Sequence, residues 1–278
     1  MIDTLDPFDG RPYRHRVGVR PLDPAAWLVV DDRAADDIAE KQRLLATARD
    51  DVCGAIRGSG DACEELLDAL VENMRTYCPA WWRERLRAAD PSRPAIEQCG
   101  LLTQEDWCLL QGDPPILTAG CVCFPNRWRV TANLGRPMRG IHGPVPRYDA
   151  QLGNPADQAL ARITPDRPVW RLNWSLGDDP QLHRPDPEDD PVRRRCARHD
   201  VARLVFLRQE RQTLVRLPVT GAIVFGIRTF VRPLGEALPT PERRAQAAVV
   251  LRTLPDDVAA YKGVSDLLGP VLAWLEAR

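Results

Sequence analysis

The segment Gly140-Ile-His142-Gly-Pro-Val-Pro146 presents one histidine in a loop stiffened by Pro144 and Pro146. Proline fixes the backbone, and Gly140 and Gly143 lack the side chains that would keep a flat ring away. A histidine so held suits a cofactor that takes a single protein ligand. The competing reading is an imidazole hydrogen-bonded within its own turn. The other histidines are His15, His183 and His199, set among charged or proline-rich residues and expected to be exposed. No two histidines stand at metal-ligand spacing, so a site built from several of them is not expected. Haem, which needs one axial residue, remains open.

A second set lies in Leu207–Pro218 and Val219–Phe230, two β-rich runs joined at Pro218-Val-Thr-Gly221 and read as a long hairpin. Pairing about that turn sets Leu217 opposite Ala222, Val215 opposite Val224, Thr213 opposite Gly226 and Arg211 opposite Arg228. The small residues on this face leave room for a flat ligand, and a mid-strand glycine such as Gly226 marks close approach. Two arginines side by side repel unless an anion neutralises them. That anion is either a ligand carboxylate or a local Asp or Glu. The opposite face, Leu214, Ile223, Phe225 and Ile227, reads as plain core. In Trp170–Trp174 alternation places Arg171 and Asn173 together. Asn173 can donate to a ligand or cap a loop.

These residues need elements to carry them. Residues 1–33 read as an extended, proline-punctuated segment. Helices are expected over 34–57, with Ile38, Leu45, Val52 and Ile56 on one face, and from an Asp61 N-cap through Tyr77. Strands are expected at Trp107–Gln111, Leu117–Phe124, Arg127–Val130 and Pro168–Ser175. A loop and short-helix crossover spans 131–165. An acidic, then basic, exposed loop follows over 177–199, and helices close the chain at 241–253 and 264–277. The order describes an α+β fold: an antiparallel sheet with helices on one side, plus N-terminal and C-terminal helical extensions. Two strands, a helical crossover and three more strands is the layout of a PAS-like domain. The expected organisation is one compact unit: 1–100 packing on the core, 101–235 the PAS-like core, and 236–278 the C-terminal helices.

Composition removes other classes. The chain has 278 residues, 44% hydrophobic, with 26 prolines and a net charge of −1. No global field favours nucleic acid or an anionic membrane. No run reaches the ~20 apolar residues that span a bilayer, and Met1–Asp6 lacks the pattern of a secretory leader, so a cytoplasmic location is expected. The eight cysteines form no C-x-x-C pair, which weakens zinc-ribbon and ferredoxin readings. Cys121 and Cys123 read as small buried hydrophobes rather than ligands. Neither a dinucleotide-binding nor a phosphate-binding glycine motif is present, nor G-x-S-x-G or H-E-x-x-H.

Seven segments in order carry a resemblance over roughly residues 10–275: Val17-Gly-Val-Arg-Pro-Leu-Asp-Pro-x-x-Trp27, Val122-Cys-Phe-Pro-x-x-Trp128, Ile141-His-x-Pro-Val-Pro-x-Tyr148, Arg171-x-Asn-Trp174, Arg211-Gln-Thr-Leu-x-Arg-Leu-Pro218, Ile227-Arg-Thr229 and Tyr261-Lys-Gly263. Together they resemble the haem-dependent oxidative N-demethylase α-subunit family. The resemblance implies a haem-binding PAS-like core, haem b as cofactor, and oxidation of a small amine by dioxygen. It also implies electrons from NADPH through a separate flavin and iron–sulfur reductase. On that basis His142 is expected to ligate iron. Arg228, Thr213 and Asn173 are expected to line the oxygen side, Arg211 to face a propionate, and Gly226 to admit the ring. The alternatives are a non-catalytic haem or gas sensor and a haem-free scaffold. The chain departs from the family at Arg147, where Gly is usual, and at Asn133-Leu-Gly135, where Lys-Leu-Gly is frequent. These departures bear on the substrate more than on the cofactor.

Overall fold

The computed structural model describes residues 6–88, 90–185 and 200–277. Seven strands form one sheet: β1 (Arg20–Pro21), β2 (Cys53–Ala55), β3 (Asp106–Gln111), β4 (Ile116–Cys121), β5 (Val169–Gly177), β6 (Phe206–Arg216) and β7 (Ile223–Pro233). Their order is β1-β5-β6-β7-β3-β4-β2, and every pair is antiparallel. The architecture is α+β. The two edge strands come from the N-terminal third, so that third completes the sheet as well as covering it.

The β6–β7 hairpin has the register that alternation dictates: Val215 faces Val224, Thr213 faces Gly226 and Arg211 faces Arg228. Leu217 donates its amide to the Ala222 carbonyl, closing the turn. One face of the sheet carries Trp107, Leu109, Ala119 and Val224. It is sealed by the helices Ala34–Thr47, Gly60–Tyr77 and Ala95–Leu102, through Ile38, Leu66, Leu70, Met74 and Ile96. Each fully buried side chain of this kind contributes about 1.5–3 kcal/mol relative to exposure. The other face carries Cys108, Leu110, Leu214 and Ile223, against the crossover residues Val130, Leu160 and Ile163. A third cluster joins the end of β5 and β6 to the helices Pro241–Arg252 and Ser265–Leu275.

Three local expectations fail for identifiable reasons. The helix expected over 34–57 ends at Thr47, and after one further turn the chain becomes β2, because Cys53 pairs with Cys121 at the sheet edge. The second helix begins at Gly60 with Ser59 before it, not Asp61. Residues 127–130 are not a strand; Arg127 has φ 63°, which breaks extended backbone. The 177–199 loop, with Arg193–Arg195, His199 and Cys196, lies mostly outside the described residues. The described cysteines are free, and Cys121 and Cys123 are fully buried. The pKa of Cys121 is raised well above its ordinary range despite the lowering hydrogen bond with Cys123, by the hydrogen bond with Cys53 and by burial, and that of Cys123 by its hydrogen bond with Cys121 and by burial. Among the described residues no helix is long and apolar enough to cross a membrane.

Candidate functional site

A cavity of about 1300 Å³ lies on the sheet face opposite the N-terminal helices. Its floor is formed by Arg171 and Asn173 of β5, Glu210, Gln212 and Leu214 of β6, and Phe225 and Ile227 of β7. Its roof is the crossover from Met138 through the helix Asn154–Ala161. The extended N-terminal segment around Tyr13 and His15, held to Thr253 by the Tyr13 amide at 2.8 Å, lines its side together with Tyr261 and Lys262. The space exceeds the roughly 300–1,000 Å³ of an ordinary small-molecule pocket.

His142 lies on this roof. It follows the single turn Met138–Ile141, and its Nδ1 is 2.9 Å from the Met138 carbonyl. A carbonyl oxygen only accepts, so Nδ1 carries the proton and donates. Burial lowers the pKa of the ring, which keeps it neutral. Nε2 therefore has a free lone pair on an imidazole oriented by its other nitrogen, the arrangement that favours metal ligation. The ring stacks on Tyr148 at 4.9 Å and 15°. Tyr148 opens a π-helical turn, Tyr148–Gly153, an irregularity frequent at functional sites. Arg147 before it has φ 58°, the left-handed conformation that glycine tolerates best. Its guanidinium binds Asp257 through two bonds of 2.8 and 3.1 Å, tying the roof to the helix Asp256–Tyr261.

Asn173 also faces the cavity. It donates to Glu210 at 3.2 Å, and its Oδ1 accepts from Lys262 at 3.4 Å. Glu210 accepts from Gln212 at 3.0 Å as well. Arg171 is enclosed but open to the cavity, and its Nε has no hydrogen-bond partner. Desolvation lowers its pKa, opposed by Glu210. An enclosed guanidinium with a donor left unsatisfied gains from an added anion. His15, expected to be exposed, is half-buried on the cavity wall, and its Nδ1 also lacks a partner. His183 is likewise half-buried, with Nδ1 2.8 Å from the Cys123 carbonyl.

Four expected site residues lie elsewhere. Arg211, Thr213, Gly226 and Arg228 share the opposite face, beneath the N-terminal helices, where none of them lines the cavity. The groups that relieve the paired arginines belong to the protein. Arg228 binds Asp31 at 2.7 Å and Asp37 at 3.3 Å, and Gln104 braces both carboxylates at 2.9 and 2.7 Å. Arg211 donates to the carbonyls of Ala26 and, at 3.2 Å, Trp27. The close approach at Gly226 is real, but the flat ring is the Trp107 indole. A Cβ at Gly226 would stand 2.5 Å from the indole edge and 2.6 Å from Thr213 Oγ1. Gly226→Ala is therefore expected to destabilise the fold by about 1–3 kcal/mol through overpacking. A lower urea midpoint at unchanged slope is the measurement. The face read as plain core, Leu214, Phe225 and Ile227, is the one that meets the cavity.

Sequence reasoning passed over Lys262 and Glu210. Lys262 had a signal: it and Lys41 are the only lysines among 38 Lys and Arg residues. The helix Asp256–Tyr261 ends at Lys262, and Gly263, at φ 68°, turns the chain away. Burial brings Lys262 down to about 8, with Glu210 opposing and Arg171 adding to the shift. Between about 8 and its ordinary value of 10.5 the unfolded chain binds the proton and the folded chain does not. Stability is thus expected to rise with pH across that window, by about 3 kcal/mol in all. Urea midpoints at the two ends check this, and Lys262→Met is expected to flatten the slope.

The α+β sheet and its helical crossover thus bring one oriented imidazole and an arginine with an unpartnered Nε to a single large cavity. Residues 18–272 match the family described as haem-dependent oxidative N-demethylase, alpha subunit-like, and the chain belongs to that family.

Proposed function

We propose that this chain binds haem b in the cavity between sheet and crossover and uses dioxygen to oxidise a small N-methylated amine. The electrons come from NADPH through a separate flavin and iron–sulfur reductase. The observation that carries the reading is His142, with Nδ1–H held by the Met138 carbonyl and Nε2 left free in a cavity of about 1300 Å³. Family membership and the strand order of β3 to β7, which runs second, first, fifth, fourth, third, support the same PAS-like reading.

The residues present fit the group. His142 would hold the iron through Nε2, and Arg171, whose Nε is unpartnered, would supply the cation for a propionate. When bound, haem supplies the one-electron and oxygen chemistry that no protein side chain provides. The chain's own work is positional. Leu214, Phe225 and Ile227 form the apolar part of the floor beside Arg171, Asn173 and Glu210, lowering the local polarity around those groups. Asn173, fixed between Glu210 and Lys262, presents its amide to the substrate side. Glu210 is the carboxylate of the floor and can hold a proton lost from the amine. Oxidation at the carbon beside nitrogen gives a carbinolamine, which collapses to an aldehyde and the demethylated amine.

The test is haem reconstitution followed by oxygen consumption. A Soret band, with oxygen uptake that depends on both an N-methyl amine and an added reductase or chemical reductant, is expected. NADPH alone is expected to give no turnover, since the sequence has no dinucleotide fingerprint. A Soret band without amine-dependent uptake would leave the non-catalytic sensor. Absence of the band would sink the haem reading altogether.

A further inference from the structure

The chain carries its positive charge almost wholly on arginine, and neither of its two lysines is exposed. Arginine stays protonated in proteins, whereas a lysine amine can lose its proton and act as a nucleophile. Lys41 is fully accounted for. It binds Asp106 at 3.0 Å, the Thr103 carbonyl at 3.3 Å and the Glu105 carbonyl, and its side chain has no exposure. Burial, the largest influence, lowers its pKa, but the Asp106 carboxylate, the Cys123 and Cys121 sulfurs and the Asp106 hydrogen bond together outweigh it and hold the pKa up.

Lys262 is different. Its Nζ donates to the Trp174 carbonyl at 2.6 Å, approaches Asn173 Oδ1 at 3.4 Å and stands 4.7 Å from the Trp174 ring centre. It lines the cavity, and among the described residues no carboxylate forms an ion pair with it. The charged or titratable groups facing it are Glu210 of β6, Arg171 of β5 and His15 of the N-terminal segment. The two acceptors take N–H directions and leave the remainder of the amine toward the cavity.

We propose that Lys262 is a carbonyl-binding amine that forms a reversible imine with a small aldehyde in the cavity. The neutral amine lone pair attacks the carbonyl carbon. A C–N bond forms, and the carbonyl π pair moves to oxygen, which takes a proton. The resulting carbinolamine loses water as the nitrogen gives up its N–H proton, leaving C=N. Water reverses each step, and no oxidant or reductant is consumed. The depressed basicity of Lys262, near 8, leaves a usable fraction of the free amine at neutral pH. In part this rests on the proposed demethylation, which generates an aldehyde in the same cavity; the imine retains that aldehyde until hydrolysis releases it.

The test uses the full chain, as purified and haem-loaded, with formaldehyde as the probe and cyanoborohydride to reduce any imine to a methylated amine. Peptide masses then locate the methyl groups. Methylation of Lys262 and the terminal amine in both preparations, with Lys41 unmodified, is expected. Lys262→Arg should carry no label at that position. An unmethylated Lys262 beside a methylated terminal amine would overturn the proposal. So would labelling that vanishes on haem loading, which would assign Lys262 to the cofactor. Haem uptake is read separately from the Soret band, so a missing band sinks the haem reading and a missing label sinks only the imine.

Discussion

His142→Ala is expected to leave the fold intact and to abolish the Soret band of the haem-loaded protein, or leave it weak and heterogeneous. The ring is half-buried and makes one polar contact, to the Met138 carbonyl, so its removal costs the core little. What disappears is the one roof imidazole with an unprotonated nitrogen. His183→Ala should keep the band, because that ring is engaged with the Cys123 carbonyl. His15 is no neutral control, since it lines the cavity and its Nδ1 is unpartnered. A normal spectrum in His142→Ala would transfer the ligand role to His15. Absorption titration with haem, beside circular dichroism to verify folding, decides the matter.

Arg228→Leu is expected to destabilise the protein by about 3–5 kcal/mol, the scale for removing one partner of a buried ion pair. The guanidinium is 1% exposed, and it neutralises Asp31 and Asp37 where the N-terminal segment meets the sheet. Glu105 is buried in the same region, and its carboxyl is raised by desolvation while Arg228 pulls it down. Without Arg228 three acidic groups lose their nearest compensating charge. A urea midpoint far below that of the parent is the expected readout. A near-parental midpoint combined with slowed oxygen chemistry would return Arg228 to the role that the resemblance assigns it.

Much of this protein was legible before folding. The spacing of Leu207–Phe230 determined the hairpin and its register to the residue, because side chains alternate strictly along a strand and the turn fixes the pairing. Gly226 was rightly read as a point of close approach; of the paired arginines only Arg228 meets carboxylates, Asp31 and Asp37, whereas Arg211 is satisfied by backbone carbonyls. The loop chemistry around His142 singled out the roof histidine, and the ordered motifs placed the chain in its family.

The tertiary structure alone decided which face of the sheet meets protein and which meets the cavity. Alternation groups residues onto faces, but it does not say what covers each one. Asp31 and Asp37 reach Arg228 because the N-terminal segment and its helix, far away in sequence, pack on that face, and Trp107 covers Gly226 because β3 pairs with β7. The same packing leaves Leu214, Phe225 and Ile227, apolar enough to read as core, as the floor of an open space. Lys262 and His15, 247 residues apart by their numbers, come close enough to interact at the edge of that space from the two ends of the chain. Periodicity is a local property of the backbone, and the site is made by long-range contacts, so the sequence could order its parts but not assemble them.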